Sequence, residues 1–115
     1  MAAQNVCDVT IINDALENNN GVYFFSKEGC KYCKQLEEEL NSMNISYTKY
    51  LLDASDGNYA CISTQLKQLT GMSSFPMLYF GKTKIGGYSE FRTLKMTNAL
   101  NDELHKIGLK IEDDF

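Results

Sequence analysis

The apolar positions of this chain fall into short blocks whose period changes several times. Val6, Val9, Ile12 and Leu16 step by three, three and four, the spacing of one helix face, and the pattern stops at Asn18-Asn19-Asn20-Gly21, a run suited to turns. Val22-Tyr23-Phe24-Phe25 is apolar without alternation and rich in β-formers, which predicts a strand buried on both faces and central in its sheet. After the polar stretch Ser26 to Gly29, Cys33, Leu36, Leu40 and Met43 again step at helical spacing, with Glu37, Glu38 and Glu39 read as a solvated far side. Residues 45–52 fit a second strand, parallel to the first because a helix joins them. Ile62, Leu66 and Leu69 mark a helix that stops at Gly71.

Met77 to Phe80 predicts a third strand, and Gly81-Lys82-Thr83-Lys84 a hairpin turn into a fourth around Ile85, ending at Gly86-Gly87. Leu94, Leu100, Leu104 and Ile107 support one or two closing helices with a stop at Gly108. The order helix, β-α-β, helix, β-β, helix predicts an α/β fold: a four-stranded mixed sheet with helices on both faces.

Composition adds bounds to this picture. At 115 residues and 13.0 kDa, the chain has room for one domain with one core. The net charge of −4 has the wrong sign for a protein that lives on phosphate backbones, so no nucleic-acid partner is expected. The first residues lack a charged cluster followed by an apolar run, and no run approaches the ~18 residues of a membrane span; no membrane partner and a soluble, cytoplasmic, monomeric protein are expected.

The chemistry concentrates at Cys30 and Cys33. Their C-x-x-C lies where the buried first strand gives way to a helix, placing the Cys30 sulfur near the unpaired N–H groups of the first turn, where a thiolate is stabilised. Lys27 and Lys31 add positive charge, so Cys30 reads as the nucleophile. Cys33 shares its phase with Leu36 and Leu40, which turns it inward as the resolving thiol. A zinc site would want two further ligands, and no second C-x-x-C exists, so no metal is assigned. Cys7 and Cys61 read as small packed residues and His105 receives no catalytic role.

Two further segments stay open on the residues alone. Pro76, the only proline, either simply starts the third strand in trans or, if cis, leaves the Phe75 backbone exposed to pair with an extended peptide. In Gly86-Gly87-Tyr88-Ser89-Glu90, Ser89 reads as a helix N-cap; alternatively the glycines admit a ligand, helix N–H groups bind a carboxylate and Glu90 binds an amine.

Taken together, Lys27, Cys30-Lys31-Tyr32-Cys33, Gln68-Leu69-Thr70-Gly71, Ser73-Ser74-Phe75-Pro76 and Ile85-Gly86-Gly87-Tyr88-Ser89-Glu90 closely resemble glutaredoxin, over about residues 6–108 of a single domain 1–115 with an acidic tail at 109–115. The resemblance implies a thioredoxin-like fold with strand order 2-1-3-4, a cis Pro76 and a glutathione site. It also implies a glutathione-dependent thiol-disulfide oxidoreductase. Cys30 would take the glutathionyl group, Lys27 would reach the glycine carboxylate, Tyr32 would flank the mixed disulfide, Phe75 would pair with the tripeptide backbone, and Gly87, Ser89 and Glu90 would receive the γ-glutamyl end. Expected partners are glutathione and glutathionylated or disulfide-containing proteins; ribonucleotide reductase is family-typical, and no residue here singles it out.

Departures from the family pattern are Lys31 where dithiol members usually carry Pro, Phe75 for Val, Glu90 for Asp, Ser73 for a basic residue and Ser63 for Gln. The alternative function is a carrier of a 2Fe-2S cluster held by Cys30 from two protomers and two glutathiones, although the C-G-F-S signature of dedicated carriers is absent. A thioredoxin-like reductant lacks support, since the W-C-G-P-C context is missing and the chain has no Trp.

Overall fold

The computed structural model describes residues 10–53, 55 and 57–109. The elements are α1 (Thr10–Glu17), β1 (Val22–Lys27), α2 (Lys31–Ser42), β2 (Tyr47–Leu52), α3 (Tyr59–Thr70), β3 (Met77–Phe80), β4 (Thr83–Gly86), α4 (Tyr88–Met96) and α5 (Leu100–His105). The sheet runs β2-β1-β3-β4, with β1 parallel to β2 and antiparallel to β3, and β3 antiparallel to β4. Val6, Val9 and Cys7 lie outside the described residues, as do residues 110–115 of the tail.

The unbroken apolar run of β1 has a direct explanation. Val22 and Phe24, with Leu78 and Phe80 of β3, enter a core with Leu36, Leu40, Phe91, Leu100 and Leu104 on one face of the sheet. Tyr23 and Phe25, with Met77 and Tyr79, enter a second core with Ile12, Ile62 and Leu66 on the other. Successive side chains of a strand point to opposite faces. A strand that feeds two cores therefore has no polar side, and each fully buried Phe contributes about 1.5–3 kcal/mol to holding it there. Phe24 and Phe25 are both fully buried. Helices α1 and α3 cover one face, and α2, α4 and α5 cover the other.

Three boundaries differ from the pattern of apolar residues. Ile45 does not begin β2: Asn44 turns left-handed, with φ 57°, and the Ile45 N–H bonds back to the Leu40 carbonyl at 2.9 Å, closing α2 and burying Ile45 before the strand starts. The β3–β4 turn is shorter than Gly81 to Lys84, because Phe80 already pairs with Thr83 and Lys84 with Tyr79. Helix α4 starts one residue ahead of Ser89, which therefore lies inside the first turn, and Gly87 is the N-cap. Gly71 ends α3 as expected, in the left-handed region with its N–H on the Lys67 carbonyl.

The run Glu37-Glu38-Glu39 is not a uniformly solvated face. Glu38 is exposed, but Glu37 accepts from the Tyr47 hydroxyl at 3.0 Å and pairs with Lys49 at 3.1 Å, while Glu39 takes the Tyr88 hydroxyl and the Lys95 ammonium. Helix α2 lies between β2 and α4, so two sides of its acidic run meet protein and only one meets water.

Candidate active site at the start of helix α2

Strand β1 ends and α2 begins around Cys30, which serves as the N-cap of α2 in an extended conformation, φ −85° and ψ 110°. Its sulfur accepts the Cys33 N–H at 3.1 Å, one of the donors that a helix start leaves without an intrahelical partner. Cys30 and Cys33 are joined in a disulfide, with Cα atoms 5.3 Å apart. Cys30 is half-buried, whereas Cys33 is 2% exposed and sits on the core side of α2, as its phase with Leu36 and Leu40 requires. The two sulfurs therefore differ in access, the property that separates an attacking thiol from a resolving one.

The wall facing the disulfide is the segment between α3 and β3. The Phe75–Pro76 bond is cis, and the Phe75 carbonyl oxygen stands 3.6 Å from the Cys30 sulfur. Buried Thr70 holds the start of this segment: its hydroxyl donates to the Leu66 carbonyl at 2.7 Å and accepts the Met72 N–H at 3.1 Å. Replacing Thr70 by Val keeps the shape and leaves the Met72 N–H without its partner. That variant should lose about 1–2 kcal/mol in urea unfolding. An unchanged midpoint would remove Thr70 from the support of this wall.

Lys27 and Lys31 flank the disulfide, exposed, and neither forms an ion pair among the described residues. The Lys27 ammonium lies 5.7 Å from the centroid of the Phe75 ring, and the Lys31 ammonium 5.9 Å from that of Tyr32. An aromatic face attracts a cation at this range by about 0.5–1 kcal/mol when exposed. Phe75, bulkier than the usual Val, thus gives Lys27 a resting place at the mouth of the site.

An open groove of about 1050 Å³ runs from Tyr32 along Met72 and Phe75 to Gly87, Ser89 and Glu90. A second depression of about 740 Å³ contains Cys30, Cys33, Lys27, Lys31 and Lys34. Of the residues singled out in the sequence, Lys27, Cys30 and Cys33 line the depression where β1 gives way to α2, Tyr32, Phe75, Gly87, Ser89 and Glu90 line the groove, and Pro76 is fully buried.

At the α4 end of the groove the Glu90 carboxylate is engaged by its own helix. Glu90 lines the groove, but its Oε1 is turned back onto the helix start, accepting the Gly87 N–H at 2.7 Å and the Ser89 hydroxyl at 3.3 Å, the glutamate half of a capping box on α4. These bonds, the Gly87 N–H first among them, hold its carboxyl below the usual range. The stem of Glu90 packs over Gly86, whose φ of 128° suits glycine and where a Cβ would lie 2.7 Å from Glu90 Cγ. The extra methylene relative to Asp lets the carboxylate fold back onto its own helix start.

Sequence reasoning gave Tyr88 no role of its own. Met72 lines the groove, half-buried, and Tyr88 stacks on Tyr32. The i,i+3 spacing of Tyr88 and Phe91 was the available signal for the latter. Cys61 is half-exposed on α3 and does not stand as a free thiol; Cys7 falls outside the described residues. His105 is exposed on α5, away from the groove residues.

The family model described as Glutaredoxin matches residues 22–85, more than half of the chain. The chain belongs to the glutaredoxin family. Its curated relatives include the glutaredoxin-1 proteins of Ectromelia virus (strain Moscow) and Vaccinia virus (strain Copenhagen), each 32% identical over 93 residues, which span 79% of this chain and 86% of the relative. Among solved structures, the buckwheat glutaredoxin-glutathione complex superposes with a TM-score of 0.77 at 22% identity, over 90% of this chain and 92% of that one. The observed order β2-β1-β3-β4 is the thioredoxin-like arrangement of these glutaredoxins. As a glutaredoxin whose C-x-x-C closes as a disulfide, the protein is a thiol-disulfide oxidoreductase.

Proposed function

We propose that this glutaredoxin uses glutathione as its reductant and removes glutathione from glutathionylated proteins through Cys30, with Cys33 resolving. The observation that carries this reading is the pairing of a half-exposed Cys30 sulfur at a helix N-cap, 3.6 Å from the Phe75 carbonyl, with an adjoining groove long enough for a tripeptide.

The steps balance without an outside oxidant. The Cys30 thiolate attacks the glutathione sulfur of a protein–glutathione disulfide, the old S–S bond breaks, and the protein leaves as a thiolate. A second glutathione thiolate attacks the glutathione sulfur of the Cys30 mixed disulfide, releasing glutathione disulfide and restoring the Cys30 thiolate. In the dithiol route the Cys33 thiolate attacks Cys30, expels the group bound there and forms the disulfide seen here, which two glutathiones reopen. The helix-start N–H on Cys30 stabilises the anion in the first step.

For the bound tripeptide, Lys27 takes the glycine carboxylate, Tyr32 and Phe75 line its cysteine, and Gly87 and Ser89 face its γ-glutamyl end. Glu90 acts here by capping α4, with its remaining carboxylate oxygen left for the substrate amine. The buckwheat complex, a glutaredoxin with glutathione bound to a similar fold, supports glutathione as the ligand.

The deciding assay follows NADPH oxidation while a glutathionylated peptide is reduced. With glutathione and glutathione reductase, turnover is expected to saturate with peptide. Substituting thioredoxin reductase for that pair should leave only background, and equal rates with both would overturn the glutathione assignment.

A further inference from the structure

Tyr88 takes no part in the chemistry above, yet its surroundings hold it on three sides. Its ring centroid lies 5.7 Å from that of Tyr32, with the planes at 25°, and 6.5 Å from that of Phe91, at 27°. Three rings thus run in a row from the groove to the core: Tyr32 is 52% exposed, Tyr88 half-buried and Phe91 fully buried. The Tyr88 hydroxyl donates to one oxygen of the Glu39 carboxylate, and Lys95 holds the other. Burial opposes ionisation of Glu39, but the bonds from Lys95 and Tyr88 outweigh it and keep its carboxyl below the usual range.

Tyr32 is held differently. Among the described residues no hydrogen bond reaches its hydroxyl, and its ring meets the Tyr88 ring and the Lys31 ammonium. A half-exposed ring without a polar anchor keeps its orientation only as well as the surface it rests on.

We propose that Tyr88 is a positioning residue for substrate binding: clamped between Glu39 and Phe91, it holds Tyr32 in place as a preformed wall of the groove. The inference rests on the glutathione reading and adds a residue to it. A wall that is already ordered spares the complex the entropy of ordering it. Since the sulfur chemistry takes place at Cys30, loss of that order raises KM and leaves kcat largely in place.

The test compares Tyr88→Leu, Tyr32→Ala and the double variant of the full chain in the glutathione-coupled assay with a glutathionylated peptide. Losing the ring contact should raise KM about threefold to tenfold in Tyr88→Leu, with a similar rise in Tyr32→Ala. The double variant should show no further rise, because the two residues act as one unit. Independent effects that multiply in the double variant overturn the proposal, as does an unchanged KM in Tyr88→Leu.

Should Tyr88→Leu fail to fold, Tyr88→Phe and Glu39→Ala each remove the hydroxyl–carboxylate clamp and keep the ring; both should raise KM, and their combination should match the larger single effect. Nitration of Tyr32 by tetranitromethane gives a readout without glutathione and is expected to be faster in Tyr88→Leu. Equal nitration rates overturn the proposal. A wild type that is inert with glutathione but shows the nitration difference overturns the glutathione reading and keeps the hold of Tyr88 on Tyr32.

Discussion

Replacing Cys30 by Ser should reduce glutathione-dependent turnover to the uncatalysed background, while Cys33→Ser should continue to remove glutathione from a glutathionylated peptide. The asymmetry follows from access and from the helix start. Cys30 is half-buried at the mouth and its sulfur takes the Cys33 N–H, whereas Cys33 is 2% exposed among core residues. A serine hydroxyl at the same N-cap keeps the hydrogen bond and so keeps the fold, but it is not ionised near neutral pH and makes no mixed disulfide. Cys33→Ser removes only the intramolecular route, so mass spectrometry of that variant after incubation with glutathione disulfide should find one added glutathione, on Cys30. Activity that survives in Cys30→Ser and dies in Cys33→Ser would exchange the two roles.

Phe91→Ala should cost about 3–5 kcal/mol of stability, the range for emptying a fully buried aromatic site. Against a total of about 5–15 kcal/mol for a domain of this kind, that is enough to populate the unfolded chain at ordinary temperature. Phe91 is fully buried in the core shared by β1, α2, β3 and α5, and its N–H bonds to the Gly87 carbonyl at 3.1 Å. The cavity would open directly beneath Tyr88 and the first turn of α4. Urea unfolding followed by circular dichroism should show the midpoint falling with the slope unchanged. A loss below about 1 kcal/mol would mean that the neighbouring Leu94 and Tyr88 collapse into the space and that the core here is not close-packed.

Much of this architecture could be read from residue order because local signals and tertiary context agree. The run Val22 to Phe25 spelled out a strand with two buried faces, and the two cores fed alternately by β1 and β3 are its physical cause. The C-x-x-C placed a thiol at a helix start, and the structure puts the Cys30 sulfur on the Cys33 N–H. What could not be read were properties set by neighbours distant in sequence. Glu37 and Glu39 look like a polar face until β2 and α4 are seen beside α2. Ser89 has the chemistry of an N-cap, but the long stem of Glu90 reaches back to Gly87 and starts the helix earlier. Tyr88 offered only an aromatic letter between two glycines and a serine, and its value depends on Tyr32, which lies in another helix.

The N–H of Cys33 that meets the Cys30 sulfur at 3.1 Å also bears on how strongly the pair acts as an oxidant. A donor that favours the thiolate stabilises the reduced dithiol form relative to the disulfide, above the pH where Cys30 ionises. Each tenfold gain for the reduced form raises the reduction potential of such a two-electron couple by about 30 mV. The exposed ammonium groups of Lys27 and Lys31 act in the same direction, and Lys31 stands where dithiol relatives usually carry an uncharged ring. The start of α2 therefore biases the couple towards accepting electrons, the direction that suits a disulfide meant to be opened rather than a staple of the fold.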